Sequence, residues 1–245
     1  FSMVTGLIGQ HGRRGALMLT MSCDHPDLEE FMSVKTDLER VTKANMSIRV
    51  SDEFMEAVRD RKPFLQKFDR PESNQKIRKE LDAAAFFEKM CYTNWDYGEP
   101  GCLYWDRISS WNLLSEFPDY SYAGTNPCAE EPLPAGGSCL LGSMNLGAFV
   151  KDGVFQTEDF KEAVRICVRG LNDVLDEGLP LHPLAEQRES VRDWRQIGLG
   201  IMGLADMLIM LGYTYGSPEA VDFCDRLGRL MMDTAMNESA LLAKE

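Results

Sequence analysis

The chain has 245 residues, 44% of them hydrophobic, and sets 26 Lys and Arg against 39 Asp and Glu for a net charge of −13. That length allows one large domain or two small ones, with enough apolar residues for a sizeable core. The acidity argues against a general nucleic-acid binder and against docking on an anionic membrane surface, and no apolar run approaches the roughly 20 residues that span a bilayer.

Phe1 to Gln10 lacks the charged start and apolar centre of a signal peptide. A Gly/Arg loop, Gly9 to Gly15, then runs into an apolar strand-like segment, Ala16 to Thr20. Pro26 suits a first helical position, and Asp27, Glu29 and Glu30 favour the positive end of a helix, which predicts a helix from Pro26 to about Val34. Asn45 to Val50 alternates as a strand does, and Ser51 caps a helix opening on Asp52 and Glu53. A strand that runs straight into a capped helix is α/β construction. Gln75 to Asn94, with Ile77, Leu81, Ala84, Phe87 and Met90 spaced by three or four, reads as one long helix that Glu99-Pro100-Gly101 breaks. A short segment, Cys102 to Leu114, and a turn-rich approach, Phe117 to Tyr120, lead to Asn126-Pro127-Cys128-Ala129-Glu130, read as an extended segment.

Thr157 caps a helix to about Asp176, and Gly178-Leu179-Pro180 stops it. Glu189 to Leu211 reads as a further helix that carries Gly198-x-Gly200-x-x-Gly203 inside it, and Ser217-Pro218-Glu219 starts the last one. No strand is expected before those glycines, so they read as close helix packing and not as a dinucleotide fingerprint. No linker divides the chain, and both ends read as cut. The expectation is one partial domain over residues 1–245 of a longer protein.

Seven cysteines without a C-x-x-C pair, and three scattered histidines, fit a reducing cytoplasm better than a stapled secreted fold or a structural zinc site. Cys128 is the most informative of them. Alone it would read as a small buried hydrophobe. In an extended segment, however, Asn126, Cys128 and Glu130 would share a face. A carboxamide, a thiol and a carboxylate held together suit chemistry on a small polar molecule, with Glu130 as acid or base. Cys139 follows after a Pro- and Gly-rich stretch that could return the chain alongside, and a second thiol suggests redox cycling. The Gly/Arg loop, with Arg13 and Arg14, could meet phosphate or a base edge, although taken alone such a loop reads first as a solvated turn before a strand.

Several segments together resemble the catalytic (large) subunit of ribonucleotide reductase. They are Gly12-Arg13-Arg14-Gly15-Ala16, His25-Pro26-Asp27-Leu28-Glu29-Glu30-Phe31, Ala44-Asn45-Met46-Ser47-Ile48, Asp52-Glu53-Phe54-Met55, Glu99-Pro100-Gly101 and Asp106-Arg107. Asn126 to Leu133, Ser138-Cys139, Gly142 to Leu146 and Arg195 to Asp206 complete the set, in the family's order and over nearly the whole chain. The resemblance implies a portion of a ten-stranded α/β barrel with a catalytic finger loop. It matches Cys128 to the thiyl-radical cysteine, Glu130 to the carboxylate that takes the 3′-hydroxyl proton, and Asn126 to the amide that binds the sugar hydroxyls. It matches Cys139 to one of two thiols that reduce the 2′ position, and Gln10 with Arg13 or Arg14 to the loop that reads the base and answers to an effector.

The same resemblance implies ribonucleotide substrates (ribonucleoside diphosphates first), nucleoside triphosphate effectors, and thioredoxin or glutaredoxin as reductant. It implies a homodimer of the parent chain, and a radical from adenosylcobalamin or from a metal-containing small subunit. Ala129 and Leu140 depart from it, standing where many relatives have Gly and Asn. The second thiol of the pair is expected before Phe1, and the phosphate-binding segment and thiol shuttle beyond Glu245, so the isolated chain is expected not to turn over. Another radical enzyme of this barrel class and an inactive or regulatory nucleotide-binding fragment are the competing readings.

Overall fold

The computed structural model describes residues 2–8 and 15–245, which divide between two compact units, Phe1–Ala135 and Gly136–Glu245. Gln10, Arg13 and Arg14 lie outside the described residues.

The first unit opens with a short helix, α1 (Ser2–Leu7), and then builds a parallel sheet. Strand β1 (Met18–Ser22) precedes α2 (Leu28–Ser33), whose start is fixed by His25 Nδ1 accepting from the Asp27 amide at 3.1 Å. Strand β2 (Asn45–Val50) follows the alternation of its sequence, and Ser51 Oγ accepts from the Phe54 amide at 3.1 Å to cap α3 (Asp52–Asp60).

The long helix expected from Gln75 to Asn94 is not formed as such. Strand β3 (Pro63–Arg70) and strand β4 (Gln75–Asp82) pair antiparallel from Pro63↔Asp82 to Arg70↔Gln75, and only then does α4 (Ala83–Tyr97) begin. Asp82 accepts from the Ala85 amide at 3.0 Å and caps that helix. The spacing of Ile77 and Leu81 satisfies a helix template, but β3 supplies a partner along the whole of β4, which local propensity cannot register. On β3, Phe64 and Gln66 are buried; Gln66 Nε2 donates to the Cys23 and His25 carbonyls at 3.2 and 2.9 Å, which pins the hairpin to the loop after β1.

Strand β5 (Gly101–Tyr104) closes the parallel order β1-β2-β5 and leads into α5 (Trp105–Ser110). Gly101 lies opposite Ser47 of β2, where a Cβ would fall 2.6 Å from the Ser47 hydroxyl. The core beneath this sheet gathers Leu28, Met32, Ile48, Val50, Phe54, Phe64, Phe86 and Met90. Phe54 meets Phe64 and Phe86 edge-on at 5.3 and 6.3 Å between ring centres. Burying each such ring stabilises the unit by roughly 1.5–3 kcal/mol. A two-stranded hairpin, β6 (Gly124–Thr125) with β7 (Pro132–Leu133), ends the unit.

In the second unit, β8 (Leu140–Asn145) is followed by a small antiparallel pair, β9 (Val150–Lys151) and β10 (Val154–Phe155), and by the amphipathic α6 (Thr157–Gly178). Helix α7 (Ala185–Trp194) ends where Arg195 turns left-handed at φ 46°. The helix expected from Glu189 to Leu211 therefore stops early. Ile197 to Met202 instead forms β11, parallel to β8 from Ile197↔Leu140 to Met202↔Asn145. Gly198 and Gly200 are strand residues, a correction to their reading as helix packing, and Gly203 (φ 71°) turns the strand into α8 (Leu204–Met210). A side chain at Gly203 would collide with the Asn145 carboxamide, so a glycine is required there both by conformation and by space. The last helix, α9 (Pro218–Leu242), starts at Ser217, whose Oγ accepts from the Ala220 amide at 3.2 Å. Phe160, Val164, Val168, Met207, Leu208 and Leu227 form this unit's core.

The architecture is mixed α/β, and among the described residues the strands form no closed barrel. No described helix is long and apolar enough to cross a membrane.

Candidate functional site

Asn126 to Glu131 is not an extended segment, as the alternation argument supposed, but the tip of the β6–β7 hairpin. Ala129 donates its amide to the Asn126 carbonyl at 3.0 Å, which closes a turn with Pro127 and Cys128 at its two central positions. Proline suits the first of these because its ring fixes φ near the turn's value. Ala129 then reverses the chain with φ 69°. The Glu131 amide donates to Asn126 Oδ1 at 3.0 Å, and the Asn126 amide to the Glu131 carbonyl at 3.3 Å. The extended reading failed because Asn126 uses its own side chain to hold a turn, a local alternative to strand pairing.

The tip thus brings Asn126, Cys128 and Glu130 within one six-residue loop and exposes Cys128 at its corner. The turn uses the carbonyl oxygen of the Asn126 side chain. Its Nδ2 is left with two protons to donate. A ligand hydroxyl meeting this side chain would therefore meet a donor. Cys139 lies in the other unit, half-buried at the approach to β8, with its Sγ 3.8 Å from the Leu140 carbonyl. Cys23, Cys91, Cys102, Cys128, Cys167 and Cys224 are free thiols. Burial pushes the Cys23 thiol above its ordinary pKa, and burial likewise raises that of Cys102.

Among the described residues, a contact to the tip comes from outside the hairpin. Asn45, the first residue of β2, donates through Nδ2 to the Pro127 carbonyl at 2.6 Å. Asn45 is itself held on both sides. Its backbone amide donates to the Leu17 carbonyl at 2.7 Å. Lys35 Nζ donates to the Ala44 carbonyl at 2.6 Å and pairs with Glu99 at 2.7 Å, while Glu99 accepts from the Met46 amide at 3.0 Å. Sequence reasoning matched Asn45 as part of a segment but gave it no role; its partner is 82 residues away, and no local pattern signals it.

Among the described residues no group of three or more His, Cys, Asp or Glu side chains could hold a metal ion.

A family model described as ribonucleotide reductase, barrel domain, matches residues 3–245. The chain is 35% identical to a vitamin B12-dependent ribonucleoside-diphosphate reductase of Mycobacterium tuberculosis, over 100% of this chain and 35% of that protein. It is 33% identical to a protein of the same description from Thermoplasma acidophilum, over 100% of this chain and 31% of that protein. A ribonucleoside-diphosphate reductase subunit alpha of Chlamydia pneumoniae is 30% identical across 74% of this chain and 17% of its own length. The chain spans about a third of the length of the first two relatives.

Proposed function

This chain belongs to the ribonucleotide reductase barrel-domain family, and from that premise we propose that it forms part of an enzyme that reduces ribonucleotides to 2′-deoxyribonucleotides. The observation that carries the reading is the hairpin tip, which presents a thiol, a carboxylate and a donor amide on six consecutive residues. In this proposal the tip is the finger loop of a ten-stranded barrel, and residues 1–245 are one part of that single catalytic domain. The parallel strands β1, β2, β5, β8 and β11 are elements of the kind such a barrel uses.

Cys128, as a thiyl radical, takes the hydrogen from the ribose 3′ carbon and becomes a thiol. Glu130 removes the 3′-hydroxyl proton while the 2′-hydroxyl, protonated by a thiol of the redox pair, leaves as water. Asn126 Nδ2 donates to a sugar hydroxyl and holds it in place. The pair to which Cys139 belongs also gives the 2′ carbon its hydrogen, supplies two electrons in all and ends as a disulfide; Glu130 returns its proton to the 3′ oxygen, and the hydrogen on Cys128 returns to the 3′ carbon. Thiol–disulfide exchange with thioredoxin or glutaredoxin restores the pair. The stepwise loss of water rests on one carboxylate positioned as base, an effect worth about 10²–10⁴-fold in rate.

Ribonucleoside diphosphates are the proposed substrates, in line with the relatives' descriptions. The descriptions of the Mycobacterium and Thermoplasma relatives favour adenosylcobalamin over a metal-containing subunit as the radical's source. Nucleoside triphosphate effectors, a homodimer of the parent chain and a cytoplasmic setting complete the proposal.

The test is substitution in the intact reductase chain. Cys128→Ala is expected to abolish deoxynucleotide formation while nucleotide binding persists, and Glu130→Gln to lower kcat by about 10²-fold or more. Unchanged turnover in Cys128→Ala would falsify the reading.

A further inference from the structure

The tip that carries Cys128 has little of its own to hold it. Strands β6 and β7 are two residues each, and an isolated two-stranded hairpin is marginal in water. Radical transfer and hydrogen abstraction, in contrast, need reacting atoms placed to within a fraction of an ångström; a 1 Å error costs about 10²-fold in rate.

Asn45 supplies a fixed point. Its Nδ2 donates to the Pro127 carbonyl at 2.6 Å, and that carbonyl shares a peptide plane with the Cys128 nitrogen. The bond therefore fixes the plane from which the Cys128 Cα departs. Asn45 can serve as a reference because its own backbone is braced three ways. The amide of residue 45 bonds the carbonyl of Leu17, just before β1, the carbonyl of Ala44 is taken by Lys35, and the amide of Met46 by Glu99. Lys35 and Glu99 pair with each other at 2.7 Å, so the two braces form one unit around the start of β2. Sites held by rigid strands are more exact than sites left on loops.

We infer that Asn45 is a positioning residue: its amide clamps the Pro127 carbonyl and thereby sets the placement of the Cys128 sulfur. This rests on the thiyl reading of Cys128. Asn45 is exposed, so solvent can replace the bond when it is lost, and its effect lies in geometry more than in overall stability.

Asn45→Asp keeps the side chain's shape but turns the donor into an acceptor that faces the carbonyl. In the intact reductase chain, kcat should fall about 10- to 100-fold. KM for the nucleoside diphosphate should stay within about twofold, since only placement of the sulfur is changed. Amide exchange over residues 124–133 should quicken, while exchange elsewhere and the melting temperature stay as in the parent. Asn45→Ala should give the same pattern. A wild-type kcat with unchanged exchange in the tip overturns the clamp. So does a loss of activity accompanied by faster exchange throughout the chain, which would mean a general structural role, or a raised KM at constant kcat. Cys128→Ala in parallel keeps the two ideas apart. Turnover that survives it removes the thiyl reading, whereas an inactive Cys128→Ala beside a fully active Asn45→Asp removes the clamp alone.

Discussion

Ala129 holds a left-handed backbone, φ 69°, one residue after Cys128. For an L-residue with a Cβ that conformation costs roughly 1–2 kcal/mol, which glycine avoids, though glycine gives back roughly 0.5–1 kcal/mol in chain entropy. Ala129→Gly is therefore expected to slow amide exchange over residues 124–133, by less than about 1 kcal/mol in local opening free energy; faster exchange would show that the turn is not limited by this residue. The same position shows how far one residue could be read in advance. The departure from Gly at 129 was visible in the sequence, but its meaning depends on a backbone angle that follows from Asn126 closing the turn. Cys128 and Glu130 stand out in the sequence by their types and spacing. That they stand on a turn was not, because Asn126 was read as a ligand-facing group only, and it also holds the loop.

Elements were legible where their causes are local. Strand β2 and the Ser51 cap of α3 follow directly from alternation and a hydroxyl before two acids. Strands β4 and β11 were hidden because Gln75 to Asp82 is rich in helix formers, and because Ile197, Ile201, Leu204 and Leu208 keep helical spacing across a strand, a turn and a helix. Each is decided by a distant partner, β3 for the one and β8 for the other. The β3–β4 hairpin owes its seat to Gln66, buried and donating to two carbonyls of the loop after β1. Gln66→Leu fills similar volume but leaves both carbonyls without that donor. The expected loss is about 2 kcal/mol, read as a lower denaturant midpoint with an unchanged slope; a midpoint equal to the parent's would mean that water replaces the amide freely.

At the scale of the molecule the described residues hold two hydrophobic cores, one in each unit. In the proposal Cys139 acts with a second thiol, a part for which Cys23 and Cys102 are poorly suited. Cys23 is sealed in the first core, and burial holds the Cys23 and Cys102 thiols protonated at neutral pH, which makes them poor nucleophiles for exchange. A polypeptide of residues 1–245 alone, spanning about a third of its relatives, is therefore expected to form no deoxynucleotide above background when given a ribonucleoside diphosphate, a radical source and a dithiol. Robust product formation in that assay would refute the expectation and point to a complete redox pair within the segment. The family could be read from ordered motifs along the chain, since these are local. The Pro- and Gly-rich stretch from Pro132 to Gly137 straddles the boundary between the two units, but in the sequence it reads equally well as a loop that returns Cys139 towards Cys128.

The bare backbone of Gly101 against the Ser47 hydroxyl has a consequence for how this sheet can diverge. The two positions divide one fixed allotment of room between neighbouring strands. A methyl added at 101 must be answered by trimming or turning aside the Ser47 side chain, or the strands spread where β2 begins, two residues from the amide that reaches Pro127. A side chain at 101 thus becomes tolerable only after room is made at 47, whereas a smaller residue at 47 can come first.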